Sequence, residues 1–306
     1  MKAEDLYYEK HLVEVETGYS CAVHQMYQNP DGIPVVMVHG AIENSGIFFS
    51  RNGKGFGPYL ARKGFNVFAI DLRGRGSSKP KISSGFKDNM DGCINNDLNK
   101  IYSFISKKVD SKHTWIAVGH SWGGVLLMSH YARHAEKFPI KKMIFFGVKR
   151  SVKMNSFIKI SRFIVGFVLV GGFLGLIYGF VPFKSIMKFG TENEPLKYYY
   201  DMVRWIFSKK WIGRDGFDYA KAFKKQTVPK ILSITGSSDN YLGEKGDCEN
   251  FIKEGLGFLS KATIIHLSRK NGNTINYGHN DMLSDRRAIN DHFPMVLDWI
   301  NKHDNN

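Results

Sequence analysis

The sequence predicts an α/β protein in which a mostly parallel, doubly wound sheet is interrupted by an inserted, apolar helical cap. Three observations support this fold class. Short apolar runs of strand length alternate with segments of helical periodicity. Polar, glycine-containing stretches directly follow several of these runs, where parallel sheets carry their functional side chains. A long segment without the alternation separates the last two expected strands from the others.

The elements can be justified in chain order. Residues 12–16 and 19–27 alternate apolar and polar side chains around Thr17-Gly18, which predicts an antiparallel hairpin. Residues 33–38 form a continuous apolar run, typical of a strand buried on both faces. The remaining expected elements are helix 56–63, strand 65–70, a helix near 94–109, strand 115–120 with the helix after it, strands 142–148, 230–235 and 262–267, and helix 288–302.

Composition indicates a globular protein with a full core. The chain has 306 residues, of which 43% are hydrophobic and 23% charged. Cys21, Cys93 and Cys248 are odd in number and irregularly spaced, so we expect reduced, structural thiols and neither a disulfide framework nor a metal site. The first residues lack the apolar core of a secretory signal, so a cytoplasmic location is the expectation.

The net charge of +15 raises the question of an anionic partner. The lysines are spread along the chain, and neither an arginine-rich run nor a nucleic-acid motif is evident. We therefore expect no nucleic-acid partner. A membrane surface stays open as a partner.

Residues 150–228 differ from the flanking parts, so we expect a core of 1–149 and 229–306 with 150–228 as the cap. Within the cap, residues 163–181 carry no charge and are followed by Lys184 and Lys188. Their length suits a membrane span, but the strands on both sides belong to one predicted sheet. Three interpretations stay open: a cap with an apolar inner wall, which we prefer; a cap that also contacts a membrane interface; and a span.

The central motif is Gly119-His120-Ser121-Trp122-Gly123. An apolar run precedes it and a helical pattern follows it. A Gly-x-Ser-x-Gly between a strand and a helix is typical of a nucleophile elbow, where the serine hydroxyl stands above the sheet beside a helix N-terminus. Ser121 is therefore the candidate nucleophile.

A serine hydroxyl needs a base to become an effective nucleophile. Among the downstream histidines, His279 lies in a loop between the last strand and the last helix, where an imidazole can reach Ser121. His266 falls within an apolar strand and is expected in the core. His292 and His303 fall in the terminal helix and are expected on its surface or in packing. His279 is the candidate base.

The base in turn needs an acid that orients it. Asp239 follows strand 230–235 through a short polar loop and is the candidate, with Asp247 in reserve. Backbone N–H groups of Trp122 and Ala41 are the candidates for an oxyanion hole, since one follows the nucleophile and the other follows an earlier strand. His39 and the glycine-rich loop 71–78 are expected to be structural.

Together these motifs resemble the α/β-hydrolase superfamily. They are His39-Gly40, Asp71-x-Arg73-Gly74-x-Gly76-x-Ser78, Gly119-His120-Ser121-Trp122-Gly123-Gly124, Gly236-x-x-Asp239 and Gly278-His279-x-Asp281. The stretch His39-Gly40-Ala41-x-Glu43-x-Ser45-Gly46 is similar to the monoglyceride lipase and bacterial lysophospholipase branch. The resemblance implies a triad of Ser121, Asp239 and His279 and an oxyanion hole at Ala41 and Trp122. The chain departs from this branch at Ile47, where arginine is common, and at Trp122, where methionine or glutamine is usual.

The expected activity is hydrolysis of carboxylic esters with an apolar acyl group, through an acyl-enzyme and without cofactor or metal. The expected partner is a small-molecule or lipid-like ester. Thioester or amide hydrolysis, including aminopeptidase activity, could use the same triad. A non-catalytic hydrolase-fold protein that binds at a membrane is the non-enzymatic alternative. The sequence does not predict an oligomeric state.

Overall fold

An eight-stranded sheet with helices on both faces forms the centre of the molecule. The computed structural model describes residues 5–110, 112–153 and 157–302. The strands are β1 Tyr7–Glu16, β2 Tyr19–Tyr27, β3 Pro34–Val38, β4 Asn66–Asp71, β5 Trp115–His120, β6 Ile140–Phe146, β7 Phe180–Val181, β8 Glu194–Pro195, β9 Lys230–Gly236 and β10 Ala262–Leu267. The helices are α1 Phe56–Ala61, α2 Met90–Gly92, α3 Leu98–Ser106, α4 Trp122–His134, α5 Phe157–Ile160, α6 Gly171–Tyr178, α7 Leu196–Phe207, α8 Tyr219–Lys225, α9 Lys245–Leu256, α10 Asp281–Ser284 and α11 His292–Lys302.

The sheet has the order β1-β2-β4-β3-β5-β6-β9-β10. β1 and β2 form the antiparallel start, and all pairings from β4 to β10 are parallel. β3 and β4 are buried along their whole length, as expected for strands covered by helices on both faces. One apolar cluster packs α3 and α4 against the sheet, and the other packs α1 and α11 against its opposite face. The predicted fold class is confirmed.

Two helix boundaries differ from the prediction. Instead of one helix over 288–302, a 3₁₀ turn covers Arg286–Asn290 and α11 begins at His292. The Asp285 side chain accepts a hydrogen bond from the N–H of Arg287, which starts the turn early, and the backbone leaves helical geometry at Asp291. The helix expected near 94–109 begins with a π segment, Cys93–Asp97, before α3.

The segment predicted to be the cap, residues 150–228, follows β6, ends before β9 and contains α5–α8 and the short β7–β8 pair. We keep the name cap for it. α5, a π segment over Ser161–Val170 and α6 follow one another without a break, and the junction residues Ile160, Val170 and Gly171 keep helical φ and ψ. We call this continuous stretch, Phe157 to Tyr178, the cap helix. Among the described residues, no single α-helix combines the length and apolar character that crossing a membrane requires.

Candidate active site

Ser121 lies on a sharp turn between the end of β5 and the start of α4. Its backbone has a φ of 49° and a ψ of −125°, a conformation that residues with a side chain adopt only where their surroundings impose it. Glycine permits the close packing of this turn. A Cβ on Gly123 would lie 2.1 Å from the carbonyl oxygen of Val38, and one on Gly119 would lie 2.4 Å from the Cα of Gly124. This is the strand-turn-helix geometry that presents a serine hydroxyl above a sheet.

Asp239 and His279 lie in loops that follow β9 and precede α10. His279 Nδ1 is 2.5 Å from Asp239 Oδ2, and the two side chains are 10% and 2% exposed. The other carboxylate oxygen of Asp239 accepts a hydrogen bond from the N–H of Leu242 at 3.0 Å. Because an ionised carboxylate can only accept, the imidazole proton lies on Nδ1 and Nε2 keeps its lone pair.

The surroundings fix the charge states of this pair. Burial opposes ionisation of Asp239, but the hydrogen bond and the charge of His279 together lower the pKa of this carboxyl below its ordinary value. Burial also lowers the pKa of His279, and the contact with Asp239 offsets this only in part. At neutral pH the site therefore holds a carboxylate beside a neutral imidazole, which are the states that general-base catalysis requires.

Contacts with residues around the elbow position the ring of His279. The rings of His120 and His279 lie 4.6 Å apart between centroids. Gly147, with a φ of 60° after β6, leaves room for the imidazole, since a Cβ there would lie 2.9 Å from His279 Nδ1. Ser121 and His279 line one cavity. The structure thus brings Ser121, His279 and Asp239 to one edge of the sheet, and their catalytic roles stay predictions.

A buried ion pair beside the elbow was not predicted from the sequence. His120 Nδ1 donates to Glu43 Oε1 at 2.5 Å, and the backbone N–H of Gly40 donates to the same oxygen. Burial disfavours both charges, but their mutual attraction lowers the pKa of Glu43 and raises that of His120. The residues are 77 positions apart, so no periodic pattern connects them. An acidic residue in the stretch 39–46 and a histidine directly before Ser121 were the available signals.

Ala41 and Trp122, the predicted oxyanion-hole residues, both line the cavity. Trp122 is the first residue of α4, so its N–H has no acceptor within the helix. Ala41 precedes Ile42, whose backbone has a positive φ of 54°. Both residues therefore share a cavity with Ser121, and their role as donors to a negative oxygen stays a prediction.

The cap holds the loop that contains Ala41. The N–H of Ile42 donates to Glu194 Oε1 at 2.5 Å, and the carbonyl of Ile42 accepts from the N–H groups of Thr191 and Glu192 at 2.9 and 3.0 Å. Glu194 also forms a fully buried ion pair with Arg75. Burial opposes the charge on Arg75, but Glu194 and its other partners raise the pKa of the guanidinium. Sequence analysis missed Glu194, which lies 152 positions from Ile42.

The cavity has a volume of about 410 Å³ and lies between the sheet edge and the cap. Its cap wall is apolar and includes Phe163, Phe167, Phe189, Met202 and Ile206. Asn44, Asn280 and Ser284, which lie outside the cap, contribute polar side chains to the lining. Phe189 and Leu242 line the cavity and are also exposed, so the cavity opens to solvent there.

The other histidines considered as a base have structural partners. His266 lies on the edge strand β10, and its Nδ1 is 2.9 Å from Thr235 Oγ1 on β9. His266 is half-buried and does not lie in the core. His292 is buried in packing, and its Nε2 donates to the carbonyl of Met282 at 2.7 Å. His303 lies outside the described residues.

The reserve acid and the two structural motifs also have other partners. Asp247 lies 3.8 Å from Lys149 Nζ. His39 Nε2 accepts from the N–H of Leu72 at 3.1 Å, and Asp71 accepts hydrogen bonds that brace the loop after β4. Across residues 5–110, 112–153 and 157–302, no group of three or more His, Cys, Asp or Glu is placed to hold a metal ion.

A family model described as the alpha/beta hydrolase fold matches residues 33–243. The chain belongs to the α/β-hydrolase fold family. This match extends from β3 through the elbow and the cap to the loop that carries Asp239. It agrees with the sheet order and supports a hydrolase.

Curated relatives of this α/β hydrolase include proline iminopeptidases of Neisseria meningitidis and Neisseria gonorrhoeae. Each is 29% identical over 131 residues, which cover 41% of this chain and 37% of the relative. The match therefore spans little more than a third of the length of those proteins. This partial match does not assign the activity of those proteins to this chain.

Solved structures of the same fold cover nearly the whole chain. An esterase from Rhodococcus sp. has a TM-score of 0.60 at 15% identity, covering 95% of this chain and 98% of that one. An esterase from Thermogutta terrifontis has a TM-score of 0.60 at 13% identity, covering 96% and 98%. A putative lipase from Acinetobacter baumannii has a TM-score of 0.61 at 15% identity, covering 97% and 93%. At these identities the likeness establishes the fold alone.

Proposed function

We propose that this protein is a serine hydrolase of carboxylic esters with an apolar acyl group. The observation that carries the proposal is the 2.5 Å hydrogen bond between His279 and Asp239, at the same cavity as the elbow serine Ser121. A buried carboxylate, a neutral imidazole and a serine on a strained turn form the arrangement that activates a hydroxyl.

In the proposed reaction, Ser121 Oγ attacks the ester carbonyl and His279 Nε2 takes its proton. The negative oxygen of the tetrahedral intermediate accepts hydrogen bonds from the N–H groups of Ala41 and Trp122. His279 then gives the proton to the departing alcohol, and an acyl-enzyme forms on Ser121. Water attacks this ester with His279 again as the base, which releases the acid. Asp239 orients the imidazole and stabilises its charged form throughout.

The cavity favours an ester over a peptide with a free N-terminus. Aminopeptidase activity is the alternative that the proline iminopeptidase relatives suggest, and its substrates carry a free N-terminal amine. An ammonium group would need a carboxylate partner, yet among the described lining residues Glu43 is the one acid, and it is paired with His120. Lys149 and Arg150, which also line the cavity, offer an ammonium no acceptor. The phenylalanine-rich cap wall supports an apolar acyl group.

The test is turnover of p-nitrophenyl acetate, butyrate and octanoate with rapid mixing. The proposal expects a burst of p-nitrophenol equal to the enzyme concentration, and Ser121→Ala should abolish it and lower kcat by at least about a thousandfold. Ser103→Ala, at an exposed position of α3, is the control and should keep the burst. A fluorophosphonate probe should label Ser121, as shown by peptide mass spectrometry. Unchanged turnover in Ser121→Ala would reject the assignment, and absence of labelling and turnover in the wild type would favour the non-catalytic alternative.

A further inference from the structure

The cap helix presents a continuous row of large apolar side chains to solvent. Leu169, Phe173 and Leu176 are 60%, 64% and 69% exposed. With Val165 they recur every three or four residues and so lie along one side of the helix. Other exposed apolar residues of the cap helix are Phe157, Ile160, Val170, Ile177 and Tyr178. We call the row Val165, Leu169, Phe173 and Leu176 the outer cap face. Contiguous apolar surface of this kind marks a site of interaction.

The opposite side of the same helix is packed on protein. Phe163 and Phe167 line the cavity. Gly171 approaches Tyr199 closely, since a Cβ there would lie 3.5 Å from the Tyr199 hydroxyl oxygen, and a Cβ on Gly175 would lie 2.7 Å from Leu196 Cδ1. The helix therefore offers one apolar side for contact while its other side remains in the fold. Such a helix can lie in an interface but cannot be surrounded by lipid.

The charge around the helix selects the kind of surface. Residues 151–190 contain five basic residues and no acidic one. Lys184 and Lys188, in the turn after the cap helix, are exposed. Basic residues in the same segment as an apolar helical face match the headgroups and acyl boundary of an anionic bilayer. A protein partner would be expected to find hydrogen-bonding groups in the face, whereas its four defining residues are all apolar.

The cavity mouth is connected to this helix. The ring of Phe167 stacks on that of Phe183 with centroids 5.4 Å apart, and Phe183 lies 6.3 Å from the mouth residue Phe189. We propose that the outer cap face docks this chain flat on an anionic lipid bilayer, with Lys184 and Lys188 at the headgroups. The docking does not depend on the proposed hydrolase activity.

The experiment is co-sedimentation with phosphatidylcholine vesicles, with and without phosphatidylglycerol, at low and high salt. The wild type should bind vesicles that contain phosphatidylglycerol, and high salt should weaken the binding without abolishing it. The double variant Leu169→Glu/Phe173→Glu should bind at least about tenfold more weakly, because it removes apolar contacts and adds negative charge. Phe258→Glu is the matched control, since Phe258 is 67% exposed outside the cap, and it should bind like the wild type.

Independent readouts keep the outcomes distinct. An unchanged melting temperature should show that the double variant is folded. Ser121→Ala should still bind vesicles, so loss of activity cannot be mistaken for loss of docking. Equal binding by wild type and double variant, or no binding by the wild type, would overturn the proposal. Self-association of the wild type that the double variant loses, without vesicle binding, would assign the outer cap face to a second copy of the chain instead.

Discussion

Asp239→Asn tests the electrostatic core of the proposed mechanism, because it removes a charge and keeps the shape. His279 becomes positively charged in the transition state, directly beside the Asp239 carboxylate, with the hydrogen-bonding atoms 2.5 Å apart. Taking charges about 4 Å apart and an effective dielectric constant of about 20, the lost attraction is ~4 kcal/mol. This corresponds to about a thousandfold in rate. An asparagine NH₂ facing Nδ1 would also favour the tautomer with its proton on Nε2, which cannot accept from Ser121.

The assay is kcat/KM for p-nitrophenyl butyrate across pH, with Asp247→Asn as control. Asp247 is also a buried aspartate, but its partners include Lys149 and the N–H of Lys153. Asp239→Asn should lose about a thousandfold in kcat/KM, whereas Asp247→Asn should stay within about tenfold of the wild type. A large loss in Asp247→Asn together with near-normal activity in Asp239→Asn would refute the assignment of the orienting acid.

Three further perturbations test other parts of the site. Glu194→Gln leaves the buried Arg75 guanidinium without its closest counter-charge. It should lower the free energy of unfolding, measured by urea denaturation, by ~3 kcal/mol. A change within experimental error would contradict the structural role of the pair. Burial lowers the pKa of His279 below the ordinary 6.5, so its neutral form persists to lower pH. The acidic limb of the pH profile of kcat/KM should therefore have its midpoint below 6.5. A midpoint above 6.5 would be inconsistent with His279 as the base. Gly123→Ala would place a Cβ 2.1 Å from the Val38 carbonyl oxygen. It should therefore lower the free energy of unfolding by more than ~2 kcal/mol, measured by thermal unfolding. A melting temperature equal to that of the wild type would count against the tight turn.

The sequence predicted the fold and the meeting of distant residues for a simple physical reason. Ser121, Asp239 and the loop of Ala41 each follow a parallel strand, and the carboxyl ends of such strands share one edge of the sheet. The glycines of the elbow made the sharp turn recognisable. The alternating runs also predicted one mostly parallel sheet that begins with an antiparallel hairpin, which the structure confirms.

The contacts that the sequence did not reveal are long-range and made by single residues. Glu43 pairs with His120 across 77 positions, and Glu194 reaches Ile42 across 152. A lone glutamate carries no periodic signal, and its burial depends on which segment the cap places beside it. The start of α11 was also missed, because the competing turn depends on one hydrogen bond from the Arg287 N–H to the Asp285 side chain. The division into core and cap and the catalytic roles stay predictions.

The buried ion pair between Arg75 and Glu194 also bears on how a substrate can enter the cavity. Swinging the cap away from the sheet as a unit would separate this pair and break the hydrogen bonds that Ile42 makes with Glu194, Thr191 and Glu192. We therefore expect a substrate to enter through the existing mouth, which Phe189 and Leu242 line. We expect the side chains at this mouth, and not a movement of the cap, to control access to Ser121.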